Sequence, residues 1–205
     1  MQVTFADMMH VKREAKKLGR DLSKRSHAQL LSLAAQNLFG VRNYHELKKR
    51  RQQALDQHLV HSGNVATCAY CGWLFCPDLV EDRKEHQARH ENFELAAVAL
   101  KYTPQHHVGR EASKKRGYAL MAVEEAESHV EGALLILRAW FDRSLDAAID
   151  GGYWKNHPEF ERYVSYLVGD LPAFPPDVVM ALENRFGRVD GVIAKGISYW
   201  YPSKE

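Results

Sequence analysis

The chain has 205 residues, 45% hydrophobic and 26% charged, which is the composition of an ordinary globular protein of one large or two small domains. No apolar run approaches the ~20 residues of a membrane span, and the opening MQVTFADMMHVKREAKK lacks the apolar core of a secretory signal; no membrane partner and a cytoplasmic location are therefore expected. The net charge of +2 hides an asymmetry: residues 1–51 carry 12 Lys/Arg against 4 Asp/Glu, residues 52–117 balance at 8 and 8, and residues 118–205 carry 8 against 14, so the two ends suit different partners, or each other.

The first 60 residues read as three helices. Thr4 or Asp7 is placed to cap a helix running to about Leu22. Ser26 caps a second, with Leu30, Leu31, Leu33, Ala34 and Leu38 on its apolar side and Gly40 in the left-handed position after its end. Asn43 begins a third, reaching about Val60, with Glu46 three residues on as in a capping box. The short turn between the last two fits a helix-turn-helix and equally any antiparallel pair. Residues 61–78 then turn β-prone and read as a short hairpin whose turn carries cysteines. Asp78, with Glu81, caps a long helix to about Lys101, on which His86, His90, Phe93, Ala97 and Leu100 form one stripe.

TPQHHVGREASKKRG, polar and punctuated by Pro and Gly, reads as a linker. The segment 118–150 is the strongest helix signal in the chain. Val130, Leu134, Leu137, Phe141, Leu145 and Ile149 mark its core face, and Leu135, Ile136 and Trp140 widen it as expected of a central helix. Two shorter helices follow, the second with Pro at its start, and VDGVIAKGISYWYP is β-prone, a strand or an extended packing segment.

Three cysteines at spacings of three and five make no disulfide framework, and in a reducing compartment such a cluster points to metal. Cys68, Cys71, His86 and His90 form the pattern C-x2-C-x14-H-x3-H. Two thiolates in a turn and two imidazoles one helical turn apart make the tetrahedral set that structural Zn2+ prefers. Cys76 is a further candidate donor, although its neighbours Phe75 and Pro77 suit a small buried side chain. HQARH has the spacing of a zinc-peptidase helix, but Gln87 stands where the general-base Glu is required, so a catalytic metal is not expected.

Residues 66–92 resemble a Cys2His2 zinc finger, including an aromatic, Phe75, four positions after the second cysteine. They depart from the commonest form in the fourteen-residue gap and in Arg83, which stands where such fingers have a core leucine. The run CAYCGWLF…EDRKEHQARH is similar to the finger of cohesin acetyltransferases, with a Cys-Gly after the knuckle and a Glu-Asp pair before the histidines; only the metal ligands are implied here by that resemblance. Asp78, Glu81, Asp82 and Glu85 on the exposed side of the helix repel a phosphate backbone, which favours a stabilising or protein-docking finger over one that reads bases.

Lys12, Arg13, Lys16, Lys17 and Arg20 crowd the first helix, with Lys24 and Arg25 at its exit, and Lys48, Lys49, Arg50 and Arg51 form a second cluster in the third. Such clusters make a patch able to displace counterions from nucleic acid, or a solvated helix face. SHAQLLSLAAQNLFGVRNYHELKKR, within residues 10–50, is faintly similar to a bacterial glyoxalase-related helical module, which implies a bacterial setting and no activity. His27 and His45 are read as ordinary helix-start residues. In the acidic part most aromatics are expected in the core. SYWYP at 198–202 is expected as an exposed partner contact, compatible with a homo-oligomer. Glu124, Glu125, Glu127, Asp142 and Asp146 are the residues a helical-bundle metal site would use, but they lack a supporting Glu-x-x-His spacing.

The expected architecture is mainly α: a basic helical unit over 1–62, a small ββα zinc finger with an extended helix over 63–101, a linker over 102–117 and an acidic helical domain over 118–205. The expected function is that of a non-enzymatic zinc-finger protein, binding nucleic acid (DNA or RNA) through its basic helices and a protein partner through its C-terminal part. The alternative is a protein–protein interaction module or inhibitor in which zinc is purely structural.

Overall fold

The computed structural model describes residues 3–123, 125–171 and 174–192. Among them lie eight α-helices and one three-stranded sheet, a mainly α fold divided into two compact units, 1–98 and 99–205.

In the first unit, α1 (Phe5–Asp21) is capped by Thr4 rather than Asp7: the Thr4 hydroxyl accepts from the Asp7 amide and the Asp7 carboxylate accepts from the Thr4 amide. α2 (His27–Phe39) starts on the matching Ser26–Gln29 box and stops at Gly40, whose φ of 63° costs a glycine nothing. α3 (Tyr44–Asp56) is capped by Asn43. Glu46, read as the other half of that box, instead accepts from the amide of Arg42, one residue earlier, and from the Arg50 guanidinium. The Arg42 amide and these two arginines hold its carboxyl down at about 2. α3 ends at Asp56, short of Val60, because Leu59–Ser62 is already β1. Val3, Met8, Val11 and Ala15 meet Leu30, Ala34, Ala35, Val41 and Leu47 in the core of the three helices.

β1 pairs antiparallel with β2 (Val65–Cys68), and β2 with β3 (Leu74–Phe75). Gly63 and Asn64 form the two-residue hairpin turn, with Gly63 at φ 60°. α4 (Val80–Leu100) follows, starting two residues beyond Asp78; Asp82 there accepts from the Cys76 amide. Its buried side is His86, His90, Phe93 and Ala96; Ala97 and Leu100 are only half-buried. The sheet begins with β1 inside the expected 1–62 domain, so the helical and finger segments share one unit and the expected boundary at 62/63 falls within it.

The second unit corrects the linker. Residues 107–121 form α5 (His107–Met121), which packs antiparallel on α6 (Ala126–Asp150). Gly117, a helix breaker in isolation, is what lets the two backbones touch. A Cβ on Gly117 would stand 2.6 Å from the Gly132 carbonyl oxygen, and one on Gly132 2.5 Å from the Gly117 carbonyl oxygen. α6 is the central helix, against which α5, α7 (Phe160–Leu167) and α8 (Pro176–Phe186) pack. Ile136, Leu137, Phe141, Leu145 and Ile149 are buried along it, with Tyr163, Leu167, Val178 and Leu182 facing the same core. Residues 193–205, and with them SYWYP and its expected partner contact, lie outside the described residues.

Two expectations follow. Gly132→Ala cannot be absorbed by a side-chain movement, since backbone meets the new methyl, and should destabilise the second unit by about 1–3 kcal/mol or more in urea unfolding. Asp142 is fully buried in the second unit; burial raises its carboxyl to about 6 against the ordinary 3.8, although the Tyr102 hydroxyl donates to it. A raised carboxyl means the folded chain binds the proton more tightly. Stability of this unit should therefore fall as pH rises from about 4 to 6, and Asp142→Asn should flatten that dependence in a pH series of unfolding midpoints.

Candidate metal centre

Each of the four expected ligands is positioned by a different local device. Cys68 ends β2, where its amide donates to the Trp73 carbonyl at 2.9 Å. The Gly72 amide donates back to the Cys68 carbonyl at 2.8 Å, and Gly72 adopts φ 70°, so the chain reverses tightly and returns Cys71 toward Cys68. The Arg89 Nε donates to the Cys71 carbonyl at 3.1 Å, with its guanidinium over the rings of Trp73 and Phe93, tying the turn to α4. His86 and His90 lie one turn apart on the face of α4 that meets the sheet. His86 stacks on Phe75 at 4.3 Å and His90 on Tyr70 at 4.6 Å, which sets both ring planes.

The result is one buried cluster. A donor atom from each of Cys68, Cys71, His86 and His90 lies within 4.8 Å of every other, and all four side chains are buried. Cys68 Sγ is 3.5 Å from His90 Nδ1. His86 Nε2 is buried with no hydrogen-bond partner among the described residues. An orphaned ring nitrogen beside two thiols is costly unless a cation accepts its lone pair. Cys76 is not part of the cluster; its backbone amide serves Asp82.

The two thiols pull apart electrostatically. Contact with Cys71 drives Cys68 toward the thiolate, while the same contact and burial drive Cys71 up to hold its proton. One negative charge is thus easily formed and a second is not, until a positive ion replaces the proton. His90 is burdened by burial, but the Cys68 and Glu94 side chains outweigh it and raise its pKa. Its other nitrogen, Nε2, is 3.2 Å from Glu94 Oε1.

Glu94 is the site residue that the motif does not contain. Its signal in the sequence is spacing: it follows His90 by four on the same helix. Glu94 Oε1 also accepts from Arg51 Nη1 at 2.6 Å, and Oε2 accepts from the Phe5 amide at 2.7 Å. Arg51 in turn donates to the Val3 carbonyl at 3.3 Å. Arg51 is buried and committed to this network, so its expected role in phosphate contact is overturned: a guanidinium inside the unit cannot reach a nucleic-acid backbone.

The remaining expected cations stand differently. Lys12, Arg13, Lys16, Lys17 and Arg20 are all exposed along α1, Lys17 pairing with Glu14 at 3.2 Å. Lys48 and Lys49 are exposed on α3, and Arg50 is half-exposed and paired with Glu46 at 2.7 Å. In the second unit, Asp142 is bound by Tyr102 and Asp146 by Arg110 at 2.8 Å, and neither joins a metal cluster among the described residues; Glu124 lies outside them. His157 Nε2 meets Ser144 Oγ at 2.8 Å in the core, and burial pushes the imidazole down to about 4. With Ser144 fully buried this pair is a packed polar contact, not an accessible nucleophile.

Comparison with protein-family models, curated proteins and solved structures finds no match for this chain. Among the described residues no helix is long and apolar enough to cross a membrane.

The cluster dictates its own response to acid. A metal ion needs both thiols deprotonated and both imidazoles neutral, whereas the charged form of His90 is stabilised in the metal-free protein by Cys68 and Glu94. Apparent affinity for a divalent ion should therefore fall as pH drops, by about tenfold per pH unit for each proton displaced, and the fall should begin above the ordinary histidine range. Competition with a chromophoric chelator between neutral and mildly acid pH measures this; Cys71→Ser or His86→Ala should remove binding at every pH.

Proposed function

We propose that the chain is a non-enzymatic, zinc-stapled module that binds nucleic acid through α1. Zinc is the reading of the metal because two sulfur and two nitrogen donors are the set that suits it over the harder cations. Tetrahedral coordination with sulfur at about 2.3 Å and nitrogen at about 2.0 Å sets sulfur and nitrogen about 3.5 Å apart, the spacing of Cys68 Sγ and His90 Nδ1. Four protein donors fill the tetrahedron and leave no position for a reacting water, which makes the ion structural.

The observation that carries the nucleic-acid reading is the exposure of the α1 cations. Lys12, Lys16 and Arg20 follow one another at four-residue spacing on the solvent side, with Arg13 and Lys17 beside them, while Val11 and Ala15 face the core. A helix so divided offers its basic face to a polyanion without disturbing its packing. Lys48 and Lys49 on α3 add a second exposed contact.

One observation favours the alternative, a protein-docking role. Val60, Thr67 and Leu74 lie in one row across the three strands, and the outer two are 63% exposed. Leu79 and Val80, where α4 begins, are exposed as well. The protein partner expected for the acidic second unit is likewise part of the proposal.

Electrophoretic shift of mixed DNA and RNA at two salt concentrations tests the leading reading. Three to five phosphate contacts predict a slope of log affinity on log salt of between about −3 and −4.5 on duplex DNA. The quadruple charge reversal of Lys12, Lys16, Lys48 and Lys49 to Glu should abolish the shift while leaving metal content intact. Absence of binding at low salt rejects this reading and leaves the docking alternative.

A further inference from the structure

Glu94 makes three bonds in three directions. Oε1 faces the ring nitrogen of His90 that points away from Cys68, at 3.2 Å, and the same oxygen takes the Arg51 guanidinium of α3 at 2.6 Å. Oε2 takes the amide of Phe5, the first residue of α1, at 2.7 Å. Arg51 extends the chain of contacts to the Val3 carbonyl, just ahead of the Thr4 cap. His90, Arg51 and Glu94 are all buried or nearly so, at 1%, 7% and 15% side-chain exposure, so these bonds lie mostly out of water's reach.

Two consequences follow from general chemistry. A carboxylate on the second nitrogen of a ligating imidazole fixes which nitrogen carries the proton and where the ring points, and it strengthens the ring as a donor. A carboxylate that also holds two other elements transmits any movement of that ring to them, because an unpaired buried carboxylate or guanidinium is expensive to leave behind.

We propose that Glu94 is a positioning residue that orients His90 toward the metal through Nδ1 and couples metal occupancy to the seating of α1 and α3, so that the basic face of α1 is fully presented only in metal-loaded protein. The part concerning the basic face rests on the nucleic-acid reading above; the coupling itself does not. Without the ion, His90 Nδ1 keeps its contact with Cys68 Sγ at 3.5 Å, a weaker tie than coordination, so the ring and the Glu94 carboxylate that serves the Phe5 amide are fixed less firmly. The linkage is reciprocal: whatever binds and orders α1 tightens the metal site by the same factor.

The test uses the full chain. Cobalt(II) serves as a spectroscopic probe of the centre, and amide hydrogen exchange follows Phe5 and α1. Glu94→Ala should weaken cobalt(II) binding by roughly 10- to 100-fold and shift its ligand-field spectrum; Glu94→Gln, which keeps the volume and one acceptor oxygen, should recover part of the loss. Chelation of the wild type should speed exchange at the Phe5 amide and the first turns of α1, whereas in Glu94→Ala those amides should already exchange fast and respond little. Unchanged cobalt affinity and spectrum in both variants, or unchanged Phe5 protection on chelating the wild type, overturns the proposal. If the alanine variant does not fold, the glutamine variant decides: wild-type cobalt affinity and spectrum in it count against the coupling. Metal-dependent nucleic-acid affinity is read separately. Protection that tracks metal in a chain that binds no nucleic acid sustains the coupling and sinks the functional reading alone.

Discussion

Two thiols and two imidazoles share one buried space in the first unit, and that crowding is the constraint on which its small sheet depends. The sheet is only three strands of four, four and two residues. So small a sheet is marginal in water without a helix or a cross-link to lean on. Here the cross-link is the donor cluster itself. Cys68 and Cys71 belong to the strand end and its turn, His86 and His90 to the helix, and no disulfide takes their place, since the cysteines are free. An ion that satisfied all four donors would tie strand, turn and helix together in one step and give so small a sheet a single arrangement.

The cluster does not stop at its ligands. Aromatic rings on both sides, Phe75 against His86 and Tyr70 against His90, fix the ring planes, and Glu94 continues the line from His90 into the helical part of the same unit. The basic segment and the finger-like segment are therefore not beads on a string. They meet through a buried Arg51–Glu94 pair, and breaking such a pair from one side strands the other charge. Arg51 shows how one residue of a basic run is buried in an ion pair while Lys48 and Lys49, its neighbours in sequence, stay exposed.

How legible the chain was depended on the range of the interaction involved. Thr4, Ser26, Asn43 and Gly40 announced helix ends because capping is settled within three or four residues. The metal cluster was legible for the same reason: two short spacings, C-x2-C and H-x3-H, each place a pair of donors locally, and only the meeting of the pairs is tertiary. α5 was not legible, because Gly109 and Gly117 argue against a helix until the opposing glycine of α6 is known. The third helix stops short of Val60 because β1 captures Leu59 and Val60 through pairing with Cys68 and Thr67, which no local signal encodes.

By itself, the sequence determined the helical character of both halves, the Ser26 and Asn43 caps and the Gly40 stop, the central helix with its stripe of Leu137, Phe141, Leu145 and Ile149, and the four Cys and His residues that cluster. All of these rest on residue type and spacing along the chain. Only the tertiary structure decided that Arg51 is buried and Lys12 is not, that Glu94 joins the centre, and that two glycines let α5 lie against α6. Those outcomes turn on which groups water can still reach once distant segments have packed, and spacing along the chain carries no record of that.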